Sequence, residues 1–114
     1  MTPPRSELLQ GTLDLLILNL LSLEPNHGWG LSFRLRQISN EVFDVNQGSL
    51  YPALQRMLRR GWVRSEWRTS DNNRRAVYYA ITRSGLKHLE KEEARWREAT
   101  AAVNSVLTLA IAEG

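Results

Sequence analysis

The sequence predicts a mainly α-helical protein with one small β-hairpin and a long C-terminal helix, and three observations carry the prediction. Apolar residues recur at helical spacing in three successive segments before residue 60. Two short runs rich in aromatic and β-branched residues, WVRSEW from Trp62 and RAVYYAI from Arg75, then flank the turn-forming run TSDNN. From Thr82 onward one pattern of alternating steps of three and four runs to the end of the chain.

The first helix is placed from Glu7 to Leu23. Leu8, Leu9, Leu13, Leu15, Leu16, Ile17, Leu18, Leu20 and Leu21 cover more than one of its faces, so most of its sides need a partner surface. Arg5 ahead of this run loosely resembles a secretory leader. Glu7, Asp14 and Asn19 interrupt the run, however, no small-residue cleavage site follows, and the run is too short to span a bilayer. A buried helix and a cytoplasmic protein, with no membrane partner, are expected. Pro25 and Asn26 end the helix, and a second runs from Trp29 to Ser39 with Trp29, Phe33, Leu35 and Ile38 as apolar contacts.

The third helix lies in VNQGSLYPALQRMLRRGW, with Asn46 or Ser49 as its cap and Gly61 as its left-handed stop. At 100° per residue Leu50, Leu54, Met57 and Leu58 share the core-facing sector, and Gly48, Ser49, Pro52, Gln55, Arg56 and Arg59 fall opposite. Gly and Pro are poor interior helix residues, so stability alone does not account for Gly48 and Pro52. Small residues at that end let the backbone approach a groove. The free amides of the first turn suit a phosphate, and Gln55, Arg56 and Arg59 add donors along the face. Three helices and a hairpin follow the order of a winged helix-turn-helix.

In the hairpin, Arg74 and Arg75 sit at or beside the tip, as phosphate or minor-groove contacts. Strand alternation sends Tyr78 and Tyr79 to opposite faces without saying which packs inward. In the last helix Leu86, Leu89, Glu93, Trp96, Thr100, Val103, Leu107 and Ala110 form an a/d seam, and Ala99, Ala102, Val106 and Leu109 widen it. An arm of roughly 42 Å is longer than a domain this small covers alone, so the seam pairs with a second copy. Leu89, Trp96, Val103 and Leu107 are its candidate dimer contacts. Trp96 either fills the dimer core or, with its symmetry mate, sandwiches a flat aromatic effector.

At 114 residues the chain fits one compact unit. It divides into a DNA-binding part, residues 1–82, and a pairing helix, residues 83–114. The absence of cysteine removes disulfides, thiolate metal sites and cysteine nucleophiles. The net charge of +3 is unevenly spread, with seven arginines between Arg56 and Arg75 against Glu66 and Asp71 alone. Such a segment suits a polyanion, because each cation that meets a phosphate releases counterions. Catalysis finds no support: His27 and His88 are the only histidines, no phosphate loop is present, and no nucleophile has a base. No catalytic residue, metal or cofactor is expected. His27 is placed in a turn, His88 on the open side of the arm, and Trp29, Trp62 and Trp67 in packing. A protein-docking adaptor is the alternative reading, against which the basic hairpin argues.

The blocks LLQGTLDLLILNLLSLEPNHGWGL, GSLYPALQRMLRRGWV and NNRRAVYYAIT followed by SG resemble the signature blocks of the PadR family of bacterial transcriptional regulators, over about residues 7 to 110. The resemblance implies a winged helix-turn-helix that binds an operator in double-stranded DNA as a homodimer and usually represses. It is closest to the short form with one C-terminal helix. Gln47, Ser49, Tyr51 and Pro52 match the recognition-helix block, Arg74 and Arg75 the wing, and Leu89, Trp96 and Val103 the dimer helix. Trp29 stands where tyrosine is commoner, and Ala76 and Val77 replace residues that are often basic. In some members a small aromatic compound at the dimer interface weakens DNA binding, which would assign Trp96 to effector binding.

Overall fold

The computed structural model describes residues 5–69 and 71–113. Four helices and a three-stranded antiparallel sheet follow in the order α1 (Arg5–Leu23), β1 (Asn26–His27), α2 (Gly28–Ile38), α3 (Gln47–Arg59), β2 (Val63–Thr69), β3 (Arg75–Ile81) and α4 (Arg83–Glu113). The side chains of Leu8, Leu9 and Ala110 lie outside the described ones.

Every expected helix is present, with ends shifted by one or two residues. Helix α1 carries Leu13, Ile17, Leu18 and Leu21 into the centre of the core, with Leu15, Leu16 and Leu20 packed around them. That circumferential burial is what its wide apolar surface requires. Helix α2 is capped by the His27 ring, whose Nδ1 accepts the Gly30 N–H at 3.0 Å. Asn46 caps α3, its Oδ1 accepting the Ser49 N–H at 2.9 Å, so Ser49 is the third helical residue. Pro52 therefore lies inside the helix, where it has no N–H to offer the Gly48 carbonyl. Gly61, at φ +75°, ends the segment.

The sheet order is β1-β3-β2, and the hairpin is joined by a strand that sequence patterning does not show. Asn26 and His27 pair with Tyr79 and Tyr78. Two residues are too few to show the alternation that marks a strand, and Pro25-Asn26 reads as a turn. Across the hairpin, Val63 faces Ile81, Ser65 faces Tyr79, Trp67 faces Val77 and Thr69 faces Arg75. Tyr79 is the inward tyrosine, buried with Val63 in the helical core. Tyr78 lies on the outer face, edge-on to His27 with ring centroids 5.2 Å apart.

Helix α4 begins at the base of the hairpin. Thr82 Oγ1 accepts the Gly85 N–H at 3.0 Å and donates to the Gly61 carbonyl at 2.6 Å, so Thr82 is the cap. Four side chains depart from their expected places. Leu89, at 5 % exposure, belongs to the protein's own core instead of a seam, because the first turns of α4 pack on α1. His88 is stacked on Trp62, with centroids 3.6 Å apart, where an open position was expected. Of the tryptophans assigned to packing, Trp62 packs against the core, whereas Trp29 and Trp67 are mostly exposed. Beyond Leu89, α4 leaves the body and stretches the molecule to 58 × 30 × 22 Å.

Candidate nucleic-acid interface

Helix α3 presents two chemically different sides because its period divides the sequence cleanly. Leu50, Ala53, Leu54 and Met57 are buried. Opposite them Gly48, Tyr51, Pro52, Gln55 and Arg59 are exposed, and Ser49 is half-buried. Tyr51 lies across the start of α2, and a Cβ on Gly28 would stand 2.9 Å from its hydroxyl. Gly28 thus leaves room for the Tyr51 ring.

Two residues expected on the reading face have other work. The Gln47 side chain turns toward α2, with Nε2 donating to Ser32 Oγ at 2.8 Å and Oε1 buried without a partner. It ties α3 to α2 and does not point outward. Arg56 reaches back to α1, its guanidinium 2.6 Å from Asp14 Oδ1, with the two side chains 30 % and 20 % exposed. Its angular position on α3 borders the core-facing sector, and the long arginine side chain finds a carboxylate 42 residues earlier. A helical projection of α3 alone contains no trace of Asp14.

The hairpin follows α3 directly, with β2 packed against it. Its turn passes through Asn73 at φ 59°, a left-handed conformation that asparagine tolerates. Arg74 and Arg75 are both exposed. The Arg75 guanidinium lies 5.3 Å from the centroid of Trp67, and Arg68 lies 5.4 Å from that of Tyr78 on the other face. Arg68 also donates to Glu66 Oε1 at 2.7 Å. Trp67 and Tyr78 thus join the wing surface as arginine-supporting rings, a role that residue type alone does not distinguish from packing.

Tyr79, between the wing and the helices, has its pKa raised above 10.0, chiefly because burial disfavours the phenolate and secondarily through Tyr51. Among the described residues no group of three or more metal-ligating side chains comes together, and no helix is long and apolar enough to cross a membrane. On the projecting part of α4, Trp96, Val103, Val106, Leu107, Leu109 and Ile111 are all exposed.

Known proteins share this fold. Residues 17–91 match the model of the Transcriptional regulator PadR-like family. A PadR-like transcriptional regulator from Bacillus cereus is 32 % identical, with 90 % of this chain and 97 % of that one superposed at a TM-score of 0.79. A transcriptional regulator from Clostridium thermocellum is 26 % identical, covering 88 % of this chain and 97 % of that one, also at 0.79. A PadR family transcriptional regulator from Eggerthella lenta is 31 % identical, covering 89 % and 86 %, at 0.72. With the matched segment running from the core of α1 through α3 and the hairpin into α4, the chain belongs to the PadR-like family of transcriptional regulators.

Proposed function

We propose that the chain is a DNA-binding repressor that acts as a homodimer on a pseudo-palindromic operator in the bacterial cytoplasm. One observation carries the reading. Tyr51, Pro52, Gln55 and Arg59 form an exposed strip on α3, Arg74 and Arg75 are exposed on the hairpin that follows it, and among the described residues no side-chain hydrogen bond or ion pair occupies any of them. The α3 strip enters a major groove, with Tyr51 and Gln55, together with Ser49 at the first turn, against base edges and Arg59 against phosphate. Arg74 and Arg75 hold the adjacent backbone. Gln47 and Arg56 act indirectly, by fixing where α3 sits.

The DNA-reading part, residues 1–82, and the pairing helix, residues 83–114, share a core through Leu89, while Trp96, Val103 and Leu107 pair with a second copy. A flat aromatic effector between the two Trp96 indoles would loosen that pairing and release DNA. A Trp96→Ala dimer that kept full operator affinity and an unaltered response to such compounds would remove this part of the reading.

The test is a fluorescence-anisotropy titration of a duplex carrying the protein's own upstream region against a scrambled duplex, at two salt concentrations. Tight, salt-dependent binding with a preference for the upstream duplex is the expected result. Weak binding to both duplexes, insensitive to salt, would overturn it and favour a surface that docks protein.

A further inference from the structure

We propose that Trp67 is a positioning residue for Arg75, and that the wing face carrying this pair is the one applied to the DNA backbone. The assignment rests on the DNA-binding reading above.

Strand alternation gives the wing two faces. Val63, Ser65, Trp67 and Thr69 share one face with Arg75, Val77, Tyr79 and Ile81. At the base that face is sealed against the helices by Val63 and Tyr79. Toward the tip the helices no longer cover it, and Trp67 is 62 % exposed. An indole this open contributes little to the core. What it does contact is Arg75, its diagonal cross-strand neighbour, at 5.3 Å.

The opposite face repeats the arrangement with Arg68 over Tyr78 at 5.4 Å. There the charge is already answered, because Glu66 pairs with Arg68. Among the described residues no carboxylate pairs with Arg75. The ring-stacked arginines of the two faces therefore differ in available charge, Arg68 being paired and Arg75 not. Arg64 of the opposite face, unpaired among the described residues, lies back toward the hairpin base, across from Ala80. A stacked guanidinium keeps one orientation while its N–H edge stays free, so less rotamer freedom is lost when it meets a phosphate.

The experiment is a double-mutant cycle on operator affinity with Trp67→Ala, Arg75→Ala and the pair, read by anisotropy at two salt concentrations. Trp67→Ala is expected to weaken binding by about two- to fivefold per wing. In the Arg75→Ala background the same change should have no further effect, Trp67→Phe should retain most of the affinity, and thermal unfolding should scarcely move. Arg68→Ala should stay within about twofold of the wild type, since its charge is already paired. Independent, multiplying effects of the two substitutions would overturn the positioning role, as would an unaltered affinity in Trp67→Ala. A loss in Arg68→Ala as large as in Arg75→Ala would overturn the choice of face. Wild-type protein that binds no duplex would overturn the DNA reading together with this one, whereas the preceding outcomes leave it standing.

Discussion

Tyr79 shows how one buried group sets a condition on stability. Its folded pKa is raised above the ordinary 10.0, because burial disfavours the phenolate and Tyr51 adds to the effect. Above pH 10.0 the unfolded chain gives up this proton more readily than the folded one, so stability falls as pH rises from there through the raised folded value. Denaturant titrations at about pH 8 and about pH 11 should show that loss in the wild type and a smaller one in Tyr79→Phe. Equal losses would mean that other groups carry the alkaline sensitivity. Arg56 makes a complementary case. Its partner Asp14 is only 20 % exposed, and removing the guanidinium would strand a partly buried carboxylate. Arg56→Ala should destabilise the fold by about 1–2 kcal/mol, between an exposed and a fully buried pair. It should leave the order of preference among operator variants intact. A changed base preference in binding assays with single-base operator variants would return Arg56 to the reading face.

At the scale of elements, Gly85, at the junction between the hairpin and α4, leaves the least room for a side chain among the described glycines. A Cβ on Gly85 would stand 2.1 Å from the Trp62 carbonyl oxygen and 2.8 Å from an Ile81 side-chain carbon. Backbone cannot yield as a flexible side chain does, so Gly85→Ala should cost about 2–3 kcal/mol, seen as a lower unfolding midpoint in a thermal melt. Helix existence was legible in the sequence because long periodic segments constrain one another: the apolar sector of α3 is the sector that is buried. Strand β1 was not, since two residues carry no period and its pairing with Tyr78 and Tyr79 is a tertiary fact. The site was half legible for a related reason. The outward position of Gln55 and Arg59 follows from helical geometry alone. The fates of Gln47 and Arg56 depend on Ser32 and Asp14, partners on other helices that no single-helix projection contains. Leu89 fits both a seam and a core by pattern, and only the approach of α4 to α1 assigns it to the core.

On the scale of the whole molecule, the projecting part of α4 is the unresolved demand on the fold. Trp96 at 49 % exposure, Val103 and Leu107 at 56 %, and Val106 at 67 % lie along one helix that leaves the body. An exposed apolar stripe of this length is unfavourable in water, and a closed two-fold interface removes it from both copies at once. Replacing Val103 and Leu107 together by glutamate should therefore yield a monomer by light scattering. The body should stay folded, because its core ends at Leu89 and uses neither residue. The same variant separates the two ways an operator is held. A monomer keeps its own α3 and wing, and with them, on the proposed reading, the contacts to one half-site. It loses the second half-site, so its affinity should collapse toward that of a half-operator duplex. As the proposed dimer, the wild-type protein should be sensitive to the spacing between half-sites. Inserting about five base pairs, half a helical turn, sets the second half-site on the far side of the duplex, and a rigid pair of α3 helices cannot follow it. A wild-type protein indifferent to that insertion, or a double-glutamate variant that remained dimeric, would show that α4 does not fix the distance between the two reading heads.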